Sequence, residues 1–260
     1  MTLPAYVGQP GPSAYHRLNP LTKLVVALAT AAAAIILGGV FWPLLLVVVL
    51  VLIPAVAAGV LRQLLRFMLL FSLPIAVSAL LINLFFYPGA QTILFRLGPI
   101  TATAEGLSFA IEILARIAAI SGAVTLFYLT TKPSELVLDL EHRGVPPRLA
   151  FVANASVQTV PAMAERAQQI VAAQRARGLD TEGSAWKRVR GILPIVGPVM
   201  LGSISEVEER SMTLEARAFT RPGRRNLLWS PPDAGWQRVL RYLVVLGLLG
   251  VIGARIAGLV

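Results

Sequence analysis

Two arginines, Arg177 and Arg217, sit at the same position of two similar hexapeptides: Ala173-Gln174-Arg175-Ala176-Arg177-Gly178 and Thr213-Leu214-Glu215-Ala216-Arg217-Ala218. Each is expected at a helix end, and Gly178 suits the left-handed residue that stops a helix. Two kinds of chemistry fit. An arginine near a helix C-terminus complements the helix dipole. A repeated helix-end arginine also suits two equivalent contacts on a two-fold partner, because guanidinium is a fixed fork of donors for carboxylates and carbonyls. Spacing alone leaves both readings open. A third candidate is Glu112 with Arg116, an i, i+4 pair on one helical face inside an apolar stretch. They read first as an ion pair locking that helix to its neighbours, and otherwise as a polar contact or gate.

The remaining side chains exclude much. The chain has no cysteine and two histidines, His16 and His142. This removes disulfides, thiolate metal sites and cysteine nucleophiles, and leaves too few imidazoles for a transition-metal cage. Both histidines read as solvated or locally hydrogen-bonded. No phosphate-binding G-x-x-x-x-G-K-[ST] loop, H-E-x-x-H helix or G-x-S-x-G elbow occurs. No cofactor, metal or catalytic residue is expected.

The elements that must position these residues are membrane spans. Of 260 residues, 56% are hydrophobic and only 14% charged, against about 25% charged in ordinary domains. Residues 24–61 carry no charge. As one helix they would run about 57 Å across a hydrocarbon core of ~30 Å. They therefore divide into two spans, broken at Gly38, Gly39, Trp42 and Pro43. A third span falls within 67–95 and ends before Tyr87-Pro88-Gly89. A fourth runs from Gly106 to about Thr131, and a fifth from Arg238 to Val260. Residues 1–12, rich in Pro and Gly, read as a loose tail rather than a signal peptide.

Charge sets the orientation. The net charge is +10, which in so apolar a chain points to anionic lipid and the positive-inside bias, not to nucleic acid. Arg17 and Lys23 precede the first span, and Arg62 with Arg66 occupy a short loop at 60–66. Fourteen of the 23 Lys and Arg fall between 131 and 237, with eleven of the 13 Asp and Glu. The N-terminus and this segment are expected in the cytoplasm, and the C-terminus outside. The expected organisation is all-α: a tail at 1–22, spans one to four within 23–130, a cytoplasmic segment at 131–237 and a fifth span at 238–260.

Inside that segment a short helix opens at Lys132-Pro133-Ser134 and runs to Leu140. A second runs from Pro147 to Arg177, kinked at Pro161. A basic connector follows at 183–191, then a third helix from Leu193 to Phe219. Glu206, Glu208, Glu209 and Arg210 read as a solvated face or as a contact for a basic partner. In the fifth span, Gly250, Ala254 and Gly258 form a small-residue stripe suited to close helix approach, either for packing within this chain or for docking of another membrane protein.

The chain resembles the transmembrane T component of energy-coupling factor (ECF) transporters, the family of CbiQ-type proteins. The resemblance is carried by His16-Arg17-Leu18-Asn19-Pro20-Leu21-Thr22-Lys23, Gly144-Val145-Pro146, Pro161, Gln174-Arg175-Ala176-Arg177-Gly178, Pro194 with Pro198, and Leu214-Glu215-Ala216-Arg217-Ala218-Phe219. It implies two Ala-Arg-Gly signatures that dock on two ABC ATPase subunits, with Ala176, Arg177 and Gly178 in one and Ala216, Arg217 and Ala218 in the other. It also implies one membrane-embedded substrate-binding S component, and uptake of a vitamin or transition metal. ATP hydrolysis would belong to the partners. The second signature departs from the pattern at Ala218. Alanine does not favour a left-handed cap, so that end is expected to be the looser. A conventional ABC permease with its own substrate path and a non-transporting membrane scaffold are the alternatives.

Overall fold

The computed structural model describes residues 13–88, 92–97, 100–178, 185–219 and 231–257. The chain divides into two compact units, residues 1–140 with 230–260, and residues 141–229.

The first unit begins its helices with α1 (Pro20–Ile36). Asn19 caps it, its Oδ1 accepting from the Leu21 N–H at 2.9 Å, and Pro20 takes the first position, where a missing N–H leaves no bond unmade. Gly39 turns the chain at φ 76°. Next come α2 (Phe41–Leu46), a π-helical segment (Val47–Leu52) and α3 (Ile53–Ala58), together an 18-residue apolar helix. In the widened segment the Ile53 N–H reaches back to the Val48 carbonyl. Pro54 follows directly, and its ring would crowd the carbonyl four residues back in a regular α-helix.

Gly59 ends α3 at φ 70°, and α4 (Leu61–Phe86) starts almost at once. The loop expected at 60–66 is therefore much shorter. Arg62 and Arg66 ride exposed on the first turns of α4. The residues around them are good helix formers, and long arginine stems let the charge stay at an interface while the backbone continues as helix.

An antiparallel hairpin that the sequence reading lacked lies between α4 and α5 (Ala104–Thr130). It pairs β1 (Ile93–Leu97) with β2 (Ile100–Thr103), placing Phe95 opposite Ala102 and Leu97 opposite Ile100. The cue was present as Gly98-Pro99 between two short runs rich in strand-forming residues. Thr103 then caps α5, accepting from the Gly106 N–H at 3.2 Å.

Small residues bring these helices together. A Cβ on Gly106 would collide with the Asn83 backbone carbonyl of α4, and one on Gly122 would lie 2.9 Å from Val51. Val51, Ala55, Leu64, Ala123, Leu126 and Leu129 form the buried core beside them. With no hydrophobic drive between helices in lipid, such close backbone approach supplies the packing. The stripe expected on α9 (Gly235–Ile256) behaves differently. Gly250 is exposed with nothing within 4 Å of its would-be Cβ, and Gly258 lies outside the described residues.

Helices α2–α3, α4, α5 and α9 are each long and apolar enough to cross a membrane, and α1 is a shorter apolar helix of 17 residues. The protein is an all-α polytopic membrane protein, to which the hairpin is a local addition. A polar belt joins its helix ends. Asn19, fully buried, donates through Nδ2 to Asp139 of α6 (Pro133–His142) at 3.0 Å, and its backbone N–H donates to Gln237 of α9 at 2.8 Å. Lys23 Nζ donates to the carbonyls of His16 and Thr130 at 3.1 and 2.8 Å. Arg241 donates to Thr22 and, through two bonds of 3.0 Å, to Asp233.

The second unit contains α7 (Pro147–Ala176) and α8 (Ala185–Ala216). The helix expected from Leu193 thus begins earlier, at Ala185, and much of the supposed basic connector is its first two turns. α7 continues through Pro161, and α8 through Pro194 and Pro198.

Candidate coupling site

The sequence Gln174-Arg175-Ala176-Arg177-Gly178 ends α7 as its residue types dictate. Arg177 leaves the helix at φ −88°, and Gly178 turns left-handed at φ 90°. The Gly178 N–H bonds to the Arg175 carbonyl at 2.9 Å. Glycine reaches this conformation at no steric cost, so the stop is built into the residue.

The second signature reaches the same geometry without glycine. Ala218 has φ 53°, and among the described residues it is the one non-glycine residue at positive φ. Its N–H bonds to the Glu215 carbonyl at 2.9 Å, and the Phe219 N–H reaches the Leu214 carbonyl at 3.0 Å. This pair of bonds is a complete Schellman ending. A left-handed alanine costs about 1–2 kcal/mol, so something must offset it. Phe219 supplies that, packing edge-on against Phe151 of α7 with centroids 4.9 Å apart. The second end, expected to be the looser, thus closes on the full pair of backbone bonds with an aromatic contact beside it.

Ala176, Arg177 and Gly178 are all exposed, as are Ala216, Arg217 and Ala218. Among the described residues no ion pair or hydrogen bond engages the guanidinium of Arg177 or Arg217. Each therefore presents its donors to solvent from a well-defined helix end. The same helix pair exposes large apolar side chains, among them Val152, Val160, Leu201, Ile204 and Val207.

Between the two helices lies a charge contact that the sequence reading placed on a solvated face. Arg166 of α7 donates through Nη1 to Glu206 of α8 at 2.9 Å and to the Gly202 carbonyl at 3.3 Å. The other oxygen of Glu206 accepts from Arg210 at 2.8 Å. Glu208 and Glu209 remain exposed.

Glu112 and Arg116 do come together, at 2.5 Å across one turn of α5. The Glu112 carboxylate also accepts from the backbone N–H of Gly39 at 2.9 Å, so it ties α5 to the turn after α1. His16 lies against Ser13, with Nδ1 2.8 Å from the hydroxyl. Burial, and then the charge of Lys23, push its pKa below the ordinary imidazole value. Among the described residues no group of three or more His, Asp or Glu gathers as a metal site.

The apolar helices define a polytopic membrane protein, and comparison with known proteins gives its family. The CbiQ family, described as cobalt transport protein, matches residues 11–227. The energy-coupling factor transporter transmembrane protein EcfT of Heliobacterium modesticaldum is 31% identical over 232 residues, covering 84% of each chain. The protein of the same name from Streptococcus equi is 29% identical over 257 residues and 92% of each chain. That from Thermosediminibacter oceani is 25% identical over 231 residues and 84% of each. The chain belongs to the CbiQ family of transport proteins.

Proposed function

We propose that the chain is the T component of an ECF-type importer, a transmembrane subunit that carries ATP-driven motion from two ABC ATPase subunits to a substrate-binding S component for vitamin or transition-metal uptake. The observation that carries this reading is the pair of matched helix ends. Arg177 and Arg217 are both exposed, both without an internal partner among the described residues, and both followed by a left-handed residue. A dipole role would need only charge near the last turn. It would not need two matching left-handed endings, the second at the cost of a left-handed alanine.

In this mechanism each guanidinium seats in an acidic or carbonyl-lined groove on one ATPase, where a forked, permanently charged group resists displacement in both directions. Nucleotide-driven movement of the ATPases then pushes and pulls on α7 and α8. Their exposed apolar residues offer the membrane-embedded S component a surface. The chain itself is non-catalytic. Its N-terminus and residues 131–237 lie in the cytoplasm, and its C-terminus lies outside the bacterial or archaeal plasma membrane. Native mass spectrometry of the gently solubilised complex tests the assembly. The expected mass corresponds to two ATPase subunits and one S protein per chain. Capture of a single ATPase subunit would contradict it.

A further inference from the structure

The two arginines are related through a third point. The sequence step from Arg166 to Arg177 equals the step from Glu206 to Arg217. Arg166 and Glu206 are the residues that meet between α7 and α8, at 2.9 Å. A helical step of this length turns the chain through about 1,100°, within about 20° of three full turns, and rises about 16 Å. Each signature arginine therefore stands on nearly the same face of its helix as its own half of the contact, and at the same distance along it.

The stretches on either side of that contact differ in kind. Residues 167–176 and 207–216 contain neither proline nor glycine. Upstream lie Pro161 on α7, and Pro194, Gly197, Pro198 and Gly202 on α8, the residue types at which helices bend. Gly202 also has a local use. Its carbonyl accepts from Arg166, whose Nη1 would lie 3.6 Å from a Cβ built there. Arg166 thus holds a backbone carbonyl and a carboxylate on the partner helix, while Arg210 braces the other carboxylate oxygen.

We infer that Arg166 and Glu206 are positioning residues, a clamp that fixes the crossing of α7 and α8 so that Arg177 and Arg217 are held at one separation on two stiff arms. Because Phe219 meets Phe151 while Glu206 meets Arg166, α7 and α8 run antiparallel. The two arginines leave the clamp in opposite directions, and along each helix the bendable stretch lies across the clamp from that helix's own arginine. Motion imposed on one arginine is thereby passed to the other helix and upstream, instead of being lost as a change in spacing. The inference rests on the coupling reading for its use, but the clamp itself is a property of this chain.

The absence of cysteine allows the test. Spin labels at Ala173 and Thr213, both exposed and at corresponding positions on the two arms, report the separation by pulsed dipolar spectroscopy of the solubilised full chain. The variants are Arg166→Gln, Glu206→Gln and the charge swap Arg166→Glu with Glu206→Arg. Each is also assayed for uptake beside its ATPases and S protein. The parent chain is expected to give one narrow distance population. Either single variant should lose it to a broad distribution with uptake several-fold lower, and the swap should recover both. Because Arg166 is partly exposed, molar salt should also broaden the parent distribution. Unchanged distributions in both single variants, or broad ones that the swap fails to narrow in a folded chain, would overturn the clamp. Clean recovery of the distances in a chain that captures no ATPase would leave the clamp standing and remove the coupling function.

Discussion

Phe219 lays its ring against Phe151 at an interplanar angle of 62°, directly after the left-handed Ala218. The contact holds in place a backbone conformation that alanine resists. Glycine at this position would adopt it freely, so Ala218→Gly is expected to be neutral or stabilising by up to about 1 kcal/mol. Phe219→Ala should loosen the end of α8 and lower ATPase capture toward that of Arg217→Ala. Adding Ala218→Gly should restore much of it. Co-purification of the ATPases with the three variants measures this, and failure of glycine to rescue would mean that Phe219 acts elsewhere.

A second expectation concerns Asn19. Its side chain and backbone join α1, α6 and α9, and it is fully buried. Asn19→Ala removes a helix cap and takes a buried donor away from Asp139, a loss of roughly 1–3 kcal/mol. Thermal unfolding in detergent should show it. Arg241→Lys should also be destabilising, because a single ammonium cannot stand both where Nη2 meets the Asp233 carboxylate and where Nη1 meets the Thr22 hydroxyl.

These two expectations mark where the sequence could and could not be read. Apolar runs, Gly178 and the paired arginines are local signals, and they gave the spans and the helix ends. The role of Asn19 was hidden because its partners lie 120 and 218 residues away, and no periodicity reports such a contact. The Arg166–Glu206 contact escaped for the same reason: Glu206 reads as one more charge in an acidic run until α7 is packed beside it. At Ala218 propensity speaks only for an isolated helix end, and the Phe151 ring of the neighbouring helix is a contact that propensity does not report.

His16 gives a pH dependence. Its pKa is lowered in the folded chain, so the unfolded chain takes up a proton first as the pH falls. Stability is then lost as the pH drops through the ordinary imidazole value toward the folded one, and the loss levels off below that. His16→Gln should flatten this part of the stability profile, measured by thermal unfolding between neutral and mildly acid pH. An unchanged slope would assign the dependence to another group.

Orientation can be tested in the same cysteine-free background. A single cysteine at Ala173 should react with a membrane-permeant maleimide in intact cells and resist an impermeant one. Labelling there from outside would invert the topology.

The central claim is that Arg177 and Arg217 couple the chain to its ATPases. The measurement is substrate uptake and ATPase co-purification for Arg177→Ala, Arg217→Ala and the double variant at matched membrane abundance. Both guanidiniums are exposed at helix ends, so the membrane helices should remain inserted. Losing one partner of a desolvated charge contact costs about 2–5 kcal/mol, enough to impair docking, and lysine should substitute poorly. Because both ends turn into a left-handed residue, the two single variants should be comparably impaired and the double variant inactive. Parental uptake with full ATPase retention in the double variant would contradict the account and leave the two arginines as helix-end charges.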